Sequence, residues 1–373
     1  MKILVSTHVV WWNASAYYAL TAAQALVKRG HDVTVLAHRS TPAFRQAENW
    51  SMRVIGHINL LRKDPVTFLE NLIALGKLLS AEKFDVLNPH RPEDHIHLST
   101  AKIRIGNSAK IIRSISDVRS PHPNPLNRLL HTRWTQGLIY CARVCQERYH
   151  KKFDLDHLPE KVIYSALDID EYTAGNWEEN NRFQALPQPR IGMVARLSPN
   201  KGHRTLIETA VIVRRELGCA SFIIAGKEEE ISIAQMKDFA RQRGVEEMFT
   251  FAGLLQDPRP AISACDIGVV ASTDSEVISR AAQEFFAFGI PVVASRVNVL
   301  PEMVEDGVNG FLVRPGDPEE LARRILDLIK SESLRKSMGE QAAVRARTHH
   351  DIEKFGQETE AFMSEVLAGK PRT

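Results

Sequence analysis

The chain has 373 residues, of which 44% are hydrophobic and 25% charged, a composition typical of globular proteins that is longer than one hydrophobic core usually supports. No apolar run approaches the roughly 18 residues of a membrane-spanning helix, and residues 1–7 are too short an apolar run for a signal peptide. The four cysteines form no Cys-x-x-Cys pair, which argues against a disulfide framework and a zinc site. We therefore expect a two-domain cytoplasmic protein.

The net charge of +3 is unevenly distributed. Residues 1–165 contain 23 Lys and Arg against 13 Asp and Glu, a net charge of +10, so the remainder carries −7. The excess is densest in residues 102–152, here called the basic segment, with eleven basic and two acidic residues. Its apolar residues favour contact with an anionic membrane surface or a phosphate-bearing acceptor; they are Leu126, Leu129, Leu130, Trp134, Leu138 and Ile139. A solvated face is the alternative. Nucleic acid is disfavoured because no binding motif is present.

Short β-branched runs alternate with helical patterns in the first part of the chain. Residues 3–7 and 32–37 are predicted strands around a helix over 15–29, in which Ala16, Leu20, Ala23 and Val27 form one apolar stripe. Further strands are predicted at 52–55, 86–88, 111–114 and 162–164. This alternation predicts a parallel sheet covered on both faces.

A second alternating series follows a polar linker at 166–189. Its strands are predicted at 190–195, 221–225, 249–252, 266–271, 291–294 and 310–313. The fold class is therefore α/β, with two Rossmann-like, doubly wound parallel-sheet domains, 1–165 and 190–347, facing each other across a cleft. Ligands of such sheets bind at the carboxyl ends of the strands.

Two loops of the second domain carry charged groups at those strand ends. Arg196 and Lys201 follow the strand 190–195, where a diphosphate could bind. Glu276 follows the strand 266–271, and Glu284 is expected on the same side of the next helix because eight residues span about 2.2 turns. The helix start should point backbone N–H groups toward an anion; these belong to Val277, Ile278, Ser279 and Arg280. A surface ladder of Glu276, Arg280 and Glu284 is the alternative, disfavoured because the flanking apolar residues predict a packed helix.

These residues, together with residues 288–295 and 302–313, resemble the retaining glycosyltransferases of family 4 (group 1), including transferases of lipopolysaccharide and other envelope glycans. The resemblance covers nearly all of the second domain and is fainter in the first. It implies a GT-B fold and a nucleoside diphosphate sugar as donor, with a glycan or glycolipid as acceptor. It also implies no metal and no cofactor, and a last helix at 348–367 that packs back on the first domain.

The same resemblance assigns roles to single residues. Arg196 and Lys201 would neutralise the leaving diphosphate, Glu276 would hold the donor sugar and Glu284 the ribose. Residues 277–280 complete the donor site. The acceptor candidates are Asn13, His90 and Ser116, the last standing where many relatives have histidine; a core position is the alternative for His90. The loop 8–15 lacks the usual glycines, and residues 277–279 are Val-Ile-Ser where relatives have Gly-Phe-Gly.

Three other functions are alternatives to sugar transfer. A nicotinamide-dependent oxidoreductase is disfavoured because no glycine precedes Gly30, which excludes the Gly-x-Gly-x-x-Gly turn after the first strand. A sugar-nucleotide epimerase or phosphorylase of similar fold stays open, as does a non-catalytic sugar-nucleotide-binding protein. The Asp-x-Asp pairs at 154–156, before the linker, and at 168–170, at its start, lie far from the other motifs and are interpreted as solvated.

Overall fold

The computed structural model describes residues 1–369 apart from 63, 118, 178 and 180. Glu178 and Asn180 of the predicted linker therefore lie outside the described residues. The chain divides into a first unit, Met1–Ala166 with Ile352–Thr373, and a second unit, Leu167–Asp351. No helix in the described part of the chain is long and apolar enough to cross a membrane.

The first unit contains a sheet of seven parallel strands among its described residues, in the order β3-β2-β1-β4-β5-β6-β7. The strands are β1 (Lys2–Ser6), β2 (Asp32–Leu36), β3 (Arg53–Ile55), β4 (Val86–Pro89), β5 (Lys110–Ile115), β6 (Gly137–Tyr140) and β7 (Glu160–Val162). The helices between them are α1 (Ala14–Lys28), α2 (Pro42–Asn49), α3 (Pro65–Glu82), α4 (Pro92–Ile105), α5 (Pro125–Thr132) and α6 (Arg143–His150).

The second unit contains a sheet of six parallel strands within the described ranges, in the order β10-β9-β8-β11-β12-β13. The strands are β8 (Arg190–Val194), β9 (Ser221–Ala225), β10 (Phe249–Gly253), β11 (Ile267–Val270), β12 (Val292–Ser295) and β13 (Gly310–Val313). The helices are α7 (Ile169–Thr173), α8 (His203–Leu217), α9 (Ile233–Gln242), α10 (Arg259–Ser263), α11 (Arg280–Ala287), α12 (Leu300–Met303), α13 (Pro318–Lys330) and α14 (Glu332–His349). Short 3-10 helices span Arg182–Ala185, Pro199–Lys201 and Glu246–Met248.

Burial on both faces of the sheet explains why the sequences of these strands are continuously apolar. Every residue of β9 and of β12 is buried, as expected for parallel strands covered by helices on each side. Helix α13 shows the complementary pattern: the Asp317 side chain caps its first turn by accepting from the Glu320 amide at 2.8 Å, and Leu321 and Ile325 bury one stripe.

The strand order reverses once in each sheet. In the first unit β1 pairs with both β2 and β4, and in the second unit β8 pairs with both β9 and β11. Such a switch point opens a crevice between the loops that follow the two central strands. The loops after β8 and β11 are the ones that carry Lys201 and Glu276.

The last helix, α15 (Ile352–Leu367), belongs to the first unit and packs on α1. Phe355 meets the Tyr18 ring edge-on, with 5.3 Å between ring centroids, and Glu360 forms an ion pair with Arg29. A Cβ at Gly356 would lie 3.1 Å from the Ala25 Cβ, so the small residue lets the two helices approach.

Candidate active site

A glycine brings the two central loops of the second unit together. Gly202 has φ +79°, and a Cβ there would lie 2.0 Å from the carbonyl oxygen of Ala271. Only glycine tolerates both that conformation and that contact. The Thr273 amide also donates to the Asn200 carbonyl at 2.9 Å. The loop after β8, which carries Lys201, is therefore fastened to the loop after β11.

Lys201 and Glu276 form an ion pair between these two loops. The Lys201 Nζ lies 2.5 Å from the Glu276 Oε2, and the two side chains are only 16% and 11% exposed. Ser272 donates its hydroxyl to the same carboxylate oxygen at 2.7 Å, and the Lys201 Nζ donates to the Ser275 carbonyl at 3.3 Å. Solvent screens the attraction within such a pair less than within a surface pair. The ion pair therefore fixes both charged side chains at the switch point.

Helix α11 begins later than the sequence predicted. Its first residue is Arg280, and Ser279 before it has a left-handed backbone with φ 45° and ψ 62°. Glu276 therefore lies in the loop and not on the helix, which corrects the expected shared helical face and also excludes the alternative of a helical ladder through Glu276. Ile278 is 2% exposed, so its side chain packs in the core. Donor binding by the backbone of Val277, Ile278, Ser279 and Arg280 stays a prediction.

Glu284 lies in a different, buried environment. Its side chain is 3% exposed and its Oε1 lies 2.8 Å from the Arg280 Nε. The Tyr172 hydroxyl donates to the same oxygen at 3.1 Å, and the Tyr172 ring packs edge-on against Phe288 with 5.5 Å between centroids. A buried carboxylate is tolerated where it is paired and hydrogen-bonded in this way.

Arg196 does not join the Lys201 pair. Its Nη1 lies 2.6 and 2.5 Å from the two carboxylate oxygens of Glu229, and the two side chains are 45% and 37% exposed. An exposed ion pair contributes only about 0–1 kcal/mol, so this guanidinium can exchange its partner for a ligand at little cost. The four predicted charged groups thus occupy three separate ion pairs.

Two of the three acceptor candidates of the first unit, Asn13 and His90, have hydrogen-bond partners in the protein. Asn13 caps α1, its side-chain oxygen accepting from the Ala16 amide at 3.0 Å. His90 is 2% exposed and its Nε2 lies 2.8 Å from the Asn88 Oδ1, which places it in the core. Ser116 is 3% exposed and its hydroxyl has no hydrogen-bond partner among the described residues. No contact of these residues tests their predicted acceptor role.

Both parts of the chain match known families. Residues 15–171 match Glycosyltransferase Family 4, and residues 177–345 match Glycosyl transferases group 1. Together the two matches cover most of the chain, which therefore belongs to the glycosyltransferases of family 4 (group 1). A lipopolysaccharide core biosynthesis glycosyltransferase, LpsE of Rhizobium meliloti, is 32% identical over 186 residues, covering 49% of this chain and 51% of that protein. The chain spans about half the length of the curated relatives that it matches first.

Solved structures show the GT-B fold for this family member. A glycosyltransferase from Rickettsia africae superimposes with a TM-score of 0.87 at 17% identity, covering 99% of each chain. Anabaena Alr3699/HepE in complex with UDP gives a TM-score of 0.84 at 21% identity, covering 98% of this chain and 100% of that one.

The apolar residues of the basic segment are a further correction. Leu130, Leu138 and Ile139 are 3%, 0% and 2% exposed, because they lie in α5 and β6 and pack in the core of this glycosyltransferase. Leu126 is exposed, at 45%. Three of the six apolar residues are therefore unavailable for lipid contact, whereas Leu129 and Trp134 are partly exposed, and membrane contact by the basic segment stays a prediction.

Several residues of the site escaped the sequence reasoning. Ser272, Tyr172 and Glu229 contact Glu276, Glu284 and Arg196, respectively. Tyr172 lies in the predicted linker, and Glu229 follows β9. The available signal was the hydroxyl of Ser272, which comes directly after the predicted strand 266–271 in the loop that also carries Glu276.

Three buried histidines predict a loss of stability in mild acid. Burial lowers the pKa of His90 and of His131 to about 3 and the pKa of His203 to about 4. Below about pH 6.5 the unfolded chain therefore takes up protons that the folded chain does not, and each histidine should cost about 1.4 kcal/mol per pH unit as pH falls toward its folded pKa. Urea unfolding at pH 7.5, 6 and 5 measures this decrease in the free energy of unfolding.

A matched pair of variants isolates the buried groups. Replacing His131 with phenylalanine should reduce the pH dependence of the unfolding free energy, whereas His122→Gln should leave it unchanged because His122 is exposed. An unfolding free energy that stays constant from pH 7.5 to 5 would contradict the assignment.

Proposed function

We propose that the protein transfers a sugar, with retention of anomeric configuration, from a nucleoside diphosphate sugar to a glycan or glycolipid acceptor of the bacterial envelope, such as lipopolysaccharide. The observation that carries the proposal is the Lys201–Glu276 pair at the switch point of the second unit. Its support from relatives is the lipopolysaccharide core enzyme LpsE and the Anabaena protein that was solved with UDP.

The charged groups match the needs of donor cleavage. A nucleoside diphosphate leaves with growing negative charge, which fixed cations stabilise more in the transition state than in the ground state. Lys201 is held in place by Glu276 and the Ser275 carbonyl, and Arg196 is available from its exposed pair with Glu229. These two cations supply the neutralisation, so the proposed reaction uses neither a metal nor a cofactor.

The carboxylates serve binding in this proposal. Glu276 has an acceptor oxygen for sugar hydroxyls beside Lys201, and Ser272 fixes its orientation. Glu284 is fixed by Tyr172 and Arg280 and accepts from the ribose hydroxyls. Backbone amides of residues 277–280 complete the donor site.

Nucleoside diphosphates should stabilise the protein, and Arg196 should contribute to that effect. A ligand at 100 times its Kd adds about 2.7 kcal/mol of stability, which a thermal-shift series with UDP, GDP and ADP detects. Arg196→Met should weaken binding of the preferred nucleotide by about tenfold, since a hydrogen bond to a charged group contributes about 1.5–3 kcal/mol.

Arg241→Met is the matched control for this series. Arg241 is also exposed and also paired, with Asp238 and Glu246, but it lies on α9 away from the switch point. Equal losses in the two variants, or no shift with any of the three nucleotides, would count against the donor site.

We also propose that the first unit docks on the inner face of the cytoplasmic membrane, through a surface that the sequence did not single out. Val66, Leu69 and Ile73 are 69%, 53% and 46% exposed on α3, and their i, i+3, i+7 spacing places them on one helix face. Lys77 and Arg104 line the adjoining groove between α3 and α4. Exposed aliphatic residues beside cations are what an anionic lipid surface attracts.

Vesicle cosedimentation tests this docking surface. Ile73→Ser should reduce binding to vesicles that contain phosphatidylglycerol, by at least severalfold. Val344→Ser is the control, because Val344 is also exposed, at 54%, but lies on α14 of the second unit. Binding that is indifferent to lipid charge and equal in both variants contradicts membrane docking by α3.

A further inference from the structure

Arg113 is a buried cation that forms no direct ion pair with a carboxylate among the described residues, although the charges of Asp94 and Glu93 act on it from a longer distance. Of the eleven basic residues of the basic segment, all of them described, it alone is buried, at 3% exposure. Its Nη1 donates to the Pro89 carbonyl at 2.8 Å, but its Nε has no partner and no carboxylate in the described part of the chain forms an ion pair with it. Burial lowers the pKa of its guanidinium. A buried charge without a direct ion pair is costly, so a counter-anion in contact with the guanidinium is expected.

A cavity of about 240 Å³ lies beside this guanidinium, entirely within the first unit. Three arginines and three histidines line it, against two carboxylates. One of these, Asp117, already accepts from the Arg119 Nε at 2.7 Å. The cavity holds about eight water molecules at about 30 Å³ each, and it is smaller than the roughly 300–1,000 Å³ of pockets for drug-sized ligands. Its charge and size suit a compact anion.

Two buried histidines of the cavity narrow the chemistry of that anion. His95 and His131 are 0% and 5% exposed, and the Nδ1 of each has no partner among the described residues. The Thr135 hydroxyl donates to the Leu130 carbonyl at 2.8 Å, so it must accept from the His95 Nε2, also at 2.8 Å. In the neutral ring of His95, the Nδ1 therefore carries a lone pair and needs a donor.

A hydrogen phosphate group satisfies both demands. Its anionic oxygens accept from a guanidinium, while its remaining hydroxyl, with a pKa of about 6 in phosphomonoesters, donates to an unprotonated nitrogen. A carboxyl group, with a pKa of about 4, keeps its proton at neutral pH far less often than a phosphomonoester does, and its ionised form offers acceptors alone. Burial keeps the pKa of His95 well below its usual value, so the ring is neutral at pH 7.

We propose that the cavity around Arg113, His95 and His131 binds a phosphate group carried by the acceptor. The phosphate site stands on the geometry of the first unit alone, whereas its assignment to an acceptor rests on the proposed sugar transfer. The structure thus points to a phosphorylated acceptor, such as a phosphomonoester at the end of a glycan.

Calorimetric titration with inorganic phosphate, glycerol 3-phosphate and malonate tests this site. The Lys201→Met background is chosen because it should weaken phosphate binding at the donor site. Arg113→Gln in that background should weaken binding of both phosphates at least tenfold, and so should His131→Phe, which serves if the first variant does not fold. Arg128→Gln is the control with the same loss of charge, because Arg128 is exposed on α5 and does not line the cavity. It should bind phosphate as the background protein does.

Each other result overturns part of the proposal. Equal weakening by Arg128→Gln would indicate non-specific surface charge, and malonate binding as tight as phosphate would replace phosphate by a carboxylate. Binding of inorganic phosphate without glycerol 3-phosphate would remove the acceptor assignment. The donor site is tested separately by titrating UDP, GDP and ADP into protein that retains Lys201. Arg113→Gln should leave the affinity for these nucleotides unchanged. If none of the three nucleotides binds, the donor site is refuted while the phosphate result stands.

Discussion

Replacing Lys201 with methionine is expected to lower the kcat for sugar transfer by about 10²–10³, the usual effect of removing one preorganised group that stabilises transition-state charge. Methionine keeps most of the length of the side chain but removes the ammonium that pairs with Glu276. Release of nucleoside diphosphate from a labelled donor, with and without acceptor, measures the effect. Release that requires the acceptor also separates a transferase from an epimerase.

Lys237→Met is the control for general loss of charge, because Lys237 is exposed on α9 of the same unit. It should transfer sugar at the rate of the unchanged protein. A Lys201→Met protein that retains more than about a third of the native kcat would show that this ammonium is not the group that neutralises the leaving diphosphate, and the non-catalytic alternative would gain.

Replacing Gly202 with alanine is expected to damage both stability and activity. The new Cβ would lie 2.0 Å from the Ala271 carbonyl oxygen in a backbone with φ +79°, so the loop after β8 must move. A residue held in such a conformation costs about 1–3 kcal/mol, and the displacement separates Lys201 from Glu276. Chemical unfolding and the transfer assay should therefore both report a loss.

Gly218→Ala provides the comparison for this prediction. Gly218 also has φ +79°, but a Cβ there meets nothing within 4 Å, so it carries the conformational cost without the collision. We expect a smaller loss of stability and full activity. Equal behaviour of the two variants would show that the close approach to Ala271 does not shape the site.

Much of the fold could be predicted because parallel strands that are buried on both faces have continuously apolar sequences. Residues 221–225 and 310–313 were predicted as strands with the bounds of β9 and β13. The loops of Lys201 and Glu276 followed from those runs, because ligands bind at the carboxyl ends of such strands.

The partners within the site could not be predicted, because they depend on strand order and on local backbone conformation. Glu229 reaches Arg196 only because β9 lies beside β8 in the sheet. Helix α11 starts only at Arg280 because the backbone of Ser279 is left-handed. That conformation is uncommon for a residue other than glycine, so a serine in the sequence does not predict it. Residues 111–114 were predicted as a strand, but nothing in the sequence distinguished the buried Arg113 from the ten other basic residues of the basic segment.

Binding of the nucleoside diphosphate to the unmodified protein, to Lys201→Met and to Glu276→Gln tests the central assignment most directly. If the loops after β8 and β11 form the donor site, calorimetry should find binding to the unmodified protein that weakens at least tenfold in Lys201→Met and less in Glu276→Gln, which keeps the cation. Equal affinity of all three proteins for the diphosphate would contradict a donor site at this switch point.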